Sequence, residues 1–322
     1  MSMSPARLLL GTAVPVLVLC AASAQAVPAR SPAHVAFTRF NSSVYPEIWT
    51  ASGRGRRRLI RVRNAGADEP AWSPSGRSIA FTVDRNPPEG PRIAIYVARA
   101  DGTGLHRVVG GRSQDYAPAW SPDGRWIAFA KASYGGFRSL GVFVVRADGR
   151  MAHRLTRDAC DDTPAWAPAG RQLVVSRCGS LYVVGADGTH ARRLTTPPPP
   201  DPSDGGEFTD VEPDWSPDGR WIAFTRSEQF DPGGGEIDYL YVIRPDGTGE
   251  RQVTDGGFDR SPAWSPDGRR LAYASYTGIS TVVVSTGQTR TMVPSRGADL
   301  SSPAWRPQIA GRRALLNPRE PS

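Results

Sequence analysis

The sequence predicts an all-β fold, a six-bladed β-propeller of four-stranded antiparallel blades, and three observations carry that prediction. With small variations the motif Pro-Ala-Trp-Ser-Pro-(Asp)-Gly-Arg returns about Trp72, Trp120, Trp166, Trp215, Trp264 and Trp305, at intervals of 48, 46, 49, 49 and 41 residues. A period of this length belongs to repeat architectures and matches one four-stranded propeller blade. Each repeat holds short apolar runs separated by turn residues. The last motif, Ser302-Pro-Ala-Trp-Arg-Pro307, lacks the Asp-Gly turn and has no fourth-strand sequence behind it. That is the pattern of a C-terminal strand that pairs with the N-terminal blade and closes the ring, which removes the open edge of a linear array.

Within one repeat the elements follow in order. Ala117 to Ser121 reads as a first strand, and Ser121-Pro122-Asp123-Gly124 as a tight turn in which proline presets φ and glycine supplies the left-handed residue. Arg125 to Lys131 is the second strand, Gly141 to Arg146 the third, Ala147-Asp148-Gly149 a second turn, and His153 to Thr156 the fourth strand. The third strand and its turn recur at Ile93–Val97, Leu181–Val184 and Leu240–Ile243, each followed by an Asp-Gly pair. Six second strands start near His34, Ser78, Trp126, Gln172, Trp221 and Leu271, and the first of these has no Trp motif before it. The motif at Trp305 supplies the missing strand, so the count is six. Second strands such as Trp126-Ile-Ala-Phe-Ala130 are almost continuously apolar, as expected of sheets covered on both faces. The repeat tryptophans are read as core before they are read as ligand platforms.

The segments Pro118-Ala-Trp-Ser-Pro-Asp-Gly-Arg-Trp-Ile-Ala-Phe129, Pro213-Asp-Trp-Ser-Pro-Asp-Gly-Arg-Trp-Ile-Ala-Phe224 and Pro262-Ala-Trp-Ser-Pro-Asp-Gly-Arg269 resemble the TolB-like (WD-like) β-propeller repeat family of exported bacterial proteins. The resemblance spans about Ala33 to Pro307 and concerns the propeller domain only. It implies a six-bladed propeller that binds or scaffolds other proteins. Ser75, Ala169 and Ala167 depart from the motif, and both turns they fall in keep their glycine.

At 322 residues and 39% hydrophobic content the chain can bury one large closed β core. Arg7, the apolar run Leu8 to Leu19 and Ala24-Gln25-Ala26 read as a signal peptide over 1–26, cleavable, with too few apolar positions to span a bilayer. Cys20 offers lipoprotein anchoring as an alternative, disfavoured because Leu19 stands where a small residue belongs. The propeller is expected over 27–307, a disordered tail over 308–322, and a periplasmic or secreted location. Cys160 and Cys178 are equidistant from residue 169, the centre of a hairpin, so they are expected to face each other and form a disulfide.

The net charge of +8 does not imply nucleic acid. Lys131 is the only lysine, and the arginines recur at repeated places, which spreads them around the ring instead of building one basic face with aromatic residues interleaved. Between Asp201 and Asp238 eleven acids and two bases leave a net −9, an acidic sector in the fifth blade. Solvation of long loops is preferred there over a basic partner or Ca²⁺, because Asp201 to Glu207 lacks the spacing of a Ca²⁺ loop. No Gly-x-Ser-x-Gly elbow is present, and His106, His153 and His190 fall at fourth strands, away from the central channel where a metal-dependent lyase would need them. No metal and no cofactor is expected.

Strand order sorts the connections onto two rims. First-to-second and third-to-fourth links are the uniform turns. The fourth-to-first and second-to-third links, including 112–117, 133–139, 196–212 and 227–238, vary, and variable loops on a rigid frame are where binding surfaces are built. The expected function is therefore a monomeric, non-catalytic binding protein for a protein or cell-envelope component, with a glycan-active or other hydrolytic enzyme as the alternative. The candidate contacts on the variable rim are Tyr116, Tyr134, Phe137, Arg138, Asp162, Asp210, Asp259 and Arg260.

Overall fold

The computed structural model describes residues 34–40, 45–53, 55–85, 92–133, 139–199, 206–230 and 235–308. The expected signal peptide over 1–26 and nearly all of the expected tail over 308–322 lie outside them. Among the described residues twenty-four strands form six four-stranded antiparallel sheets. The first blade receives β1 (Val35–Phe40), β2 (Glu47–Ser52) and β3 (Gly55–Ile60) from the N-terminal end. Blade 2 is β4 (Gly66–Trp72), β5 (Ser78–Arg85), β6 (Arg92–Arg99) and β7 (His106–Val109). Blade 3 is β8 (Gln114–Trp120), β9 (Trp126–Ala132), β10 (Ser139–Arg146) and β11 (His153–Arg154). Blade 4 is β12 (Asp161–Trp166), β13 (Gln172–Arg177), β14 (Ser180–Gly185) and β15 (Arg192–Arg193). Blade 5 is β16 (Glu207–Trp215), β17 (Ile222–Gln229), β18 (Glu236–Ile243) and β19 (Arg251–Gln252). Blade 6 is β20 (Arg260–Trp264), β21 (Arg270–Ser275), β22 (Gly278–Val283) and β23 (Thr289–Pro294). The last strand, β24 (Asp299–Trp305), pairs with β1 in the register Val35↔Trp305 to Phe40↔Asp299 and becomes the inner strand of blade 1. The ring closes as the motif count requires, and the Arg306 N–H adds a bond to the His34 carbonyl at 2.8 Å.

Six apolar clusters hold the ring, one at each junction between blades. The reason lies in the second strands, where a bulky-small-bulky triplet repeats as Ile79-Ala80-Phe81, Ile127-Ala128-Phe129, Ile222-Ala223-Phe224 and Leu271-Ala272-Tyr273. Alternate residues point to opposite faces of a sheet. The bulky pair of each blade therefore presses on the preceding blade, while the intervening alanine leaves room for the bulky pair of the next. Ile127 and Phe129 pack with Ala80, Ile95 and Val97 of blade 2, and Ala128 packs with Leu173 and Val175 of blade 4. Phe37, Phe81, Phe129 and Phe224 are among the largest fully buried side chains.

The turns behave as their residues dictate. Gly124 has φ +69 and its N–H bonds the Ser121 carbonyl at 2.8 Å. Asp123 accepts from the Ser121 hydroxyl at 2.6 Å and from the Arg125 N–H at 3.0 Å, and the same pattern recurs at Asp218 and Asp267. The glycine of the third-to-fourth turn has a second role: a Cβ at Gly188 would run into the Leu155 carbonyl of the preceding blade.

Cys160 and Cys178 form the expected disulfide, with Cα atoms 5.3 Å apart. The register explains why they meet. Beyond the turn, Trp166 pairs with Leu173, but a bulge between Asp162 and Ala165 shifts the pairing by one residue, so that Asp161 faces Arg177 and the cysteines fall on the next rung. The bridge ties the connection entering blade 4 to the Cys178-Gly179 turn between β13 and β14.

Two outcomes follow for stability. Phe129→Ala should cost about 3–5 kcal/mol, because a fully buried side chain is replaced by a cavity, whereas Phe40→Ala, 37% exposed, should cost under about 1 kcal/mol; urea unfolding of both variants measures the contrast. Replacing both cysteines by serine should lower stability by about 3 kcal/mol, the loop-closure estimate for a crosslink spanning 18 residues, and unchanged unfolding under reducing conditions would contradict the bridge.

Candidate functional site

The inner strands converge on the ring axis, and all six break at the same place. Proline in the Pro-Ala-Trp motif has no N–H to give to the ladder, so the pairing cannot run through it. A bulge results, and the residue before each proline adopts a left-handed conformation: Glu69, Ala117, Thr163, Glu212, Ser261 and Ser302 have φ between 38° and 55°. Non-glycine residues rarely sit there, at a cost on the order of 1–2 kcal/mol each. Bulges re-aim side chains. Here they line a cavity of about 400 Å³ together with the Pro-Ala-Trp segments of five blades and Pro213-Asp214-Trp215 of blade 5, extending to Pro74 and Pro217 on the rim of uniform turns. Four of the repeat tryptophans, Trp72, Trp215, Trp264 and Trp305, are buried despite lining it. The Trp120 and Trp264 indoles donate to the Ala71 and Asp214 carbonyls of the preceding blade, at 3.1 and 3.2 Å.

The carboxylates around this ring are committed to neighbouring blades. Glu69 accepts from the Ala117 N–H at 2.7 Å, and Glu212 accepts from the Ser261 N–H at 2.8 Å and the Ser261 hydroxyl at 3.0 Å. Blades 2 and 5 stand opposite one another in a six-blade ring, so the two glutamates close corresponding junctions on opposite sides. Asp68 accepts from the Thr38 hydroxyl and the Glu69 N–H, and Asp214 from the Trp264 N–H at 2.8 Å. Burial, with Asp68, Asp162 and Glu212 adding like charge, pushes the Glu69 carboxyl up to about 8, and burial pushes Asp214 up to about 7.

The structure sorts the residues expected on the variable rim. Tyr116 and Asp162 are brought together: the phenol donates to the carboxylate at 2.7 Å across the junction of blades 3 and 4. Burial raises both groups, and the Asp162 charge adds to the shift of the phenol. Both lie in strands, β8 and β12, not in the loops the sequence suggested, because β8 begins at Gln114 and β12 at Asp161. Asp210 is also a strand residue. It is fully buried and grips Arg226 through two bonds of 2.6 and 2.9 Å, so its side chain points into blade 5. The same pairing occurs as Asp115 with Lys131 and Asp161 with Arg177, directly opposite in register. Arg260 opens β20 with its guanidinium 5.0 Å from the Phe258 ring, and Asp259 precedes it, its carboxyl pushed up to about 6 by burial. Tyr134, Phe137 and Arg138 lie outside the described residues.

Sequence reasoning missed the two glutamates, whose signal was their place immediately before the motif proline. It also missed an aromatic sector of the variable rim. Tyr276 is 72% exposed and sits 4.5 Å from Phe258, beside a cavity of about 390 Å³ in blade 6. Phe40 and Tyr45, 37% and 36% exposed, lie on the same rim in blade 1, which adjoins blade 6. Among the described residues no group of three or more His, Cys, Asp or Glu side chains is arranged to hold a metal ion, and no helix is long and apolar enough to cross a membrane.

The sequence pattern of the TolB beta propeller domain matches residues 117–309. TolB from Acinetobacter baumannii superposes with a TM-score of 0.68 at 21% identity, over 85% of this chain and 67% of that one. A nidogen/laminin complex gives a TM-score of 0.66 at 11% identity, over 85% and 98%. An oligogalacturonate lyase from Vibrio parahaemolyticus gives 0.54 at 10% identity, over 78% and 72%. At these identities the likeness is one of fold. No curated protein matches the sequence.

Glu69 sets a pH dependence. Its folded pKa lies above the ordinary value of 4.5, so the folded state favours the protonated form and stability falls as pH rises from about 4.5 to about 8. Glu69→Gln keeps an acceptor for the Ala117 N–H without the charge. Its thermal stability relative to the native chain should therefore rise across that window, and a difference that stays constant from pH 4 to pH 9 in melting curves would contradict the assignment.

Proposed function

This chain belongs to the TolB β-propeller domain family, and on that premise we propose that it is an exported, monomeric, non-catalytic binding protein. Its partner is a protein or another component of the cell envelope, received on the rim of variable connections. The observation that carries this reading is the exposed aromatic sector formed by Tyr276 with Phe258 in blade 6 and by Phe40 and Tyr45 in blade 1. Exposed aromatic residues, together with arginine, are enriched at interface centres, and Arg260 stacks on the same Phe258 ring. Tyr116 and Asp162 lie toward the same rim on the inner strands. With Asp259 and Arg260 they form the inner border of the proposed contact, while Asp210, turned into its blade, supports the frame.

Export is proposed from the leader at 1–26, and the Cys160–Cys178 bridge supports it, since such bonds persist in oxidising compartments. The non-catalytic reading is supported by the inner-strand carboxylates Asp68, Glu69, Asp162, Glu212 and Asp214, each engaged with a backbone N–H or a hydroxyl. One observation favours the second reading, a glycan-active or other hydrolytic enzyme: Glu69 holds its proton up to about pH 8 beside a cavity, as a general acid would.

The test uses the mature chain as bait against envelope extracts, with two variants. Tyr276→Ala combined with Arg260→Ala should lose the specific partners by at least about tenfold, while Asp123→Ala, on the uniform rim, should keep them. Partners retained by the first variant, or lost equally by both, would rule out this face. Turnover of a glycan panel that Glu69→Gln abolishes would favour the hydrolytic reading instead.

A further inference from the structure

The outermost strand of blade 1 differs from its five counterparts. Between Gly55 and Arg63 the chain places Arg56, Arg57, Arg58, Arg61 and Arg63, all exposed, with no acid among them. The other outer strands carry one or two basic residues, such as Arg107 in β7, Arg154 in β11 and Arg290 in β23. Two of those are used as staples, Arg192 reaching the Pro245 carbonyl and Arg251 the Val284 carbonyl of the following blade. In β3, among the described residues, Arg56 alone is used in this way, reaching the Pro294 carbonyl of blade 6 at 3.1 Å. One or two charges suffice to blunt a sheet edge against pairing. The excess on β3 goes beyond that need.

Two features organise the cluster. Glu47, 6% exposed, accepts from Arg58 at 3.2 Å, and Arg61 stands 3.5 Å from the same oxygen, so one buried carboxylate orients two guanidinium groups while the patch keeps a large positive excess. A concavity of about 250 Å³ then lies between Arg61 and Arg63, bordered by Tyr45, Pro46 and Asn64. Successive side chains of a strand alternate between its two faces, so Arg56 and Arg58, opposite Ala51 and Trp49, flank one side of the exposed edge and Arg57, opposite Thr50, the other, and the edge leads on to the cleft. Guanidinium forks match phosphate oxygens in bidentate geometry. Glu47 sits at the base of the cleft with both oxygens engaged by Arg58, Arg61 and the Trp49 indole.

We propose that the outer edge of blade 1 binds a linear polymer of phosphate groups, which runs along Arg56, Arg57 and Arg58 and seats one phosphate between Arg61 and Arg63. β3 carries no aromatic side chain and the cleft carries a single one, Tyr45, which does not make the series of stacking platforms that successive bases of a nucleic acid use. The arginines of β3 lie on the outer circumference and the cleft reaches the variable rim at Tyr45, but the arginines that define this site take no part in the contact proposed above.

The test is fluorescence anisotropy of labelled inorganic polyphosphate with the mature chain over a range of salt. Arg57→Gln combined with Arg63→Gln should weaken binding by at least about tenfold and lower the slope of log K against log salt by about two. A charge-matched pair, Arg107→Gln with Arg290→Gln, should leave both within about twofold of the native chain. All four positions are exposed, so melting temperatures should hold; if the double variant unfolds early, the two single variants decide. Equal losses in the two pairs would reduce the effect to net charge and overturn the site. So would the absence of polyphosphate binding, equal competition by polyglutamate, or tighter binding to anionic phospholipid vesicles or to single-stranded DNA.

Discussion

The fit of one second strand against the next governs this molecule. Every blade presents a bulky pair to the blade before it and a small residue to the blade after it, and six such junctions close a ring only if each accepts its neighbour at the same spacing. Protein interiors tolerate neither voids nor overfilling. The regular alternation of Ile-Ala-Phe is what allows the sheets to stack at constant separation. Blade 4 shows the tolerance of the rule: Val174 stands where the others have alanine, and Val175 where they have an aromatic ring, so volume moves from one face to the other.

Given that packing, the inner strands inherit a constraint from their prolines. Each interrupts its ladder, each interruption forces a left-handed residue, and the six strained residues face one another around the axis. The strain persists because the surrounding blades over-determine it. Carboxylates placed beside the break then become connectors between blades. The same logic works farther out, where Asp115, Asp161 and Asp210 each hold a cation from the adjacent strand inside blades 3, 4 and 5. Removing one partner of such a pair would leave the other charge buried and unpaired, which costs more than the pair contributes. Acidity near the axis thus serves the frame, and the distinctive surfaces of this chain are the aromatic sector of the variable rim and the arginine row at the circumference.

The strand count, the closure by Trp305 and the two classes of rim were legible in the sequence because turn chemistry and alternation are local properties, repeated six times. The Cys160–Cys178 pairing was legible for a subtler reason. The counting rule that placed the cysteines opposite each other works only with the one-residue bulge at Thr163, so a feature invisible in the spacing made the spacing correct. The boundaries of β8 and β16 were not legible, since Gln114 to Tyr116 and Glu207 to Val211 are polar stretches whose pairing depends on partners in β9 and β17.

The sequence by itself therefore determined the architecture: the repeat period, the turn residues and the bulky-small alternation act through neighbours along the chain and admit one closed arrangement. The tertiary structure alone decided which polar residues are spent and which are free to act. Asp210 and Tyr116 look equivalent as residues upstream of a motif, yet one is locked inside a blade and the other spans a junction. Glu69 and Glu212 gain their roles only when blades far apart in sequence share one axis. The arginines of β3, unremarked in a count of charges spread over the chain, become a single surface because an outer edge strand holds them side by side.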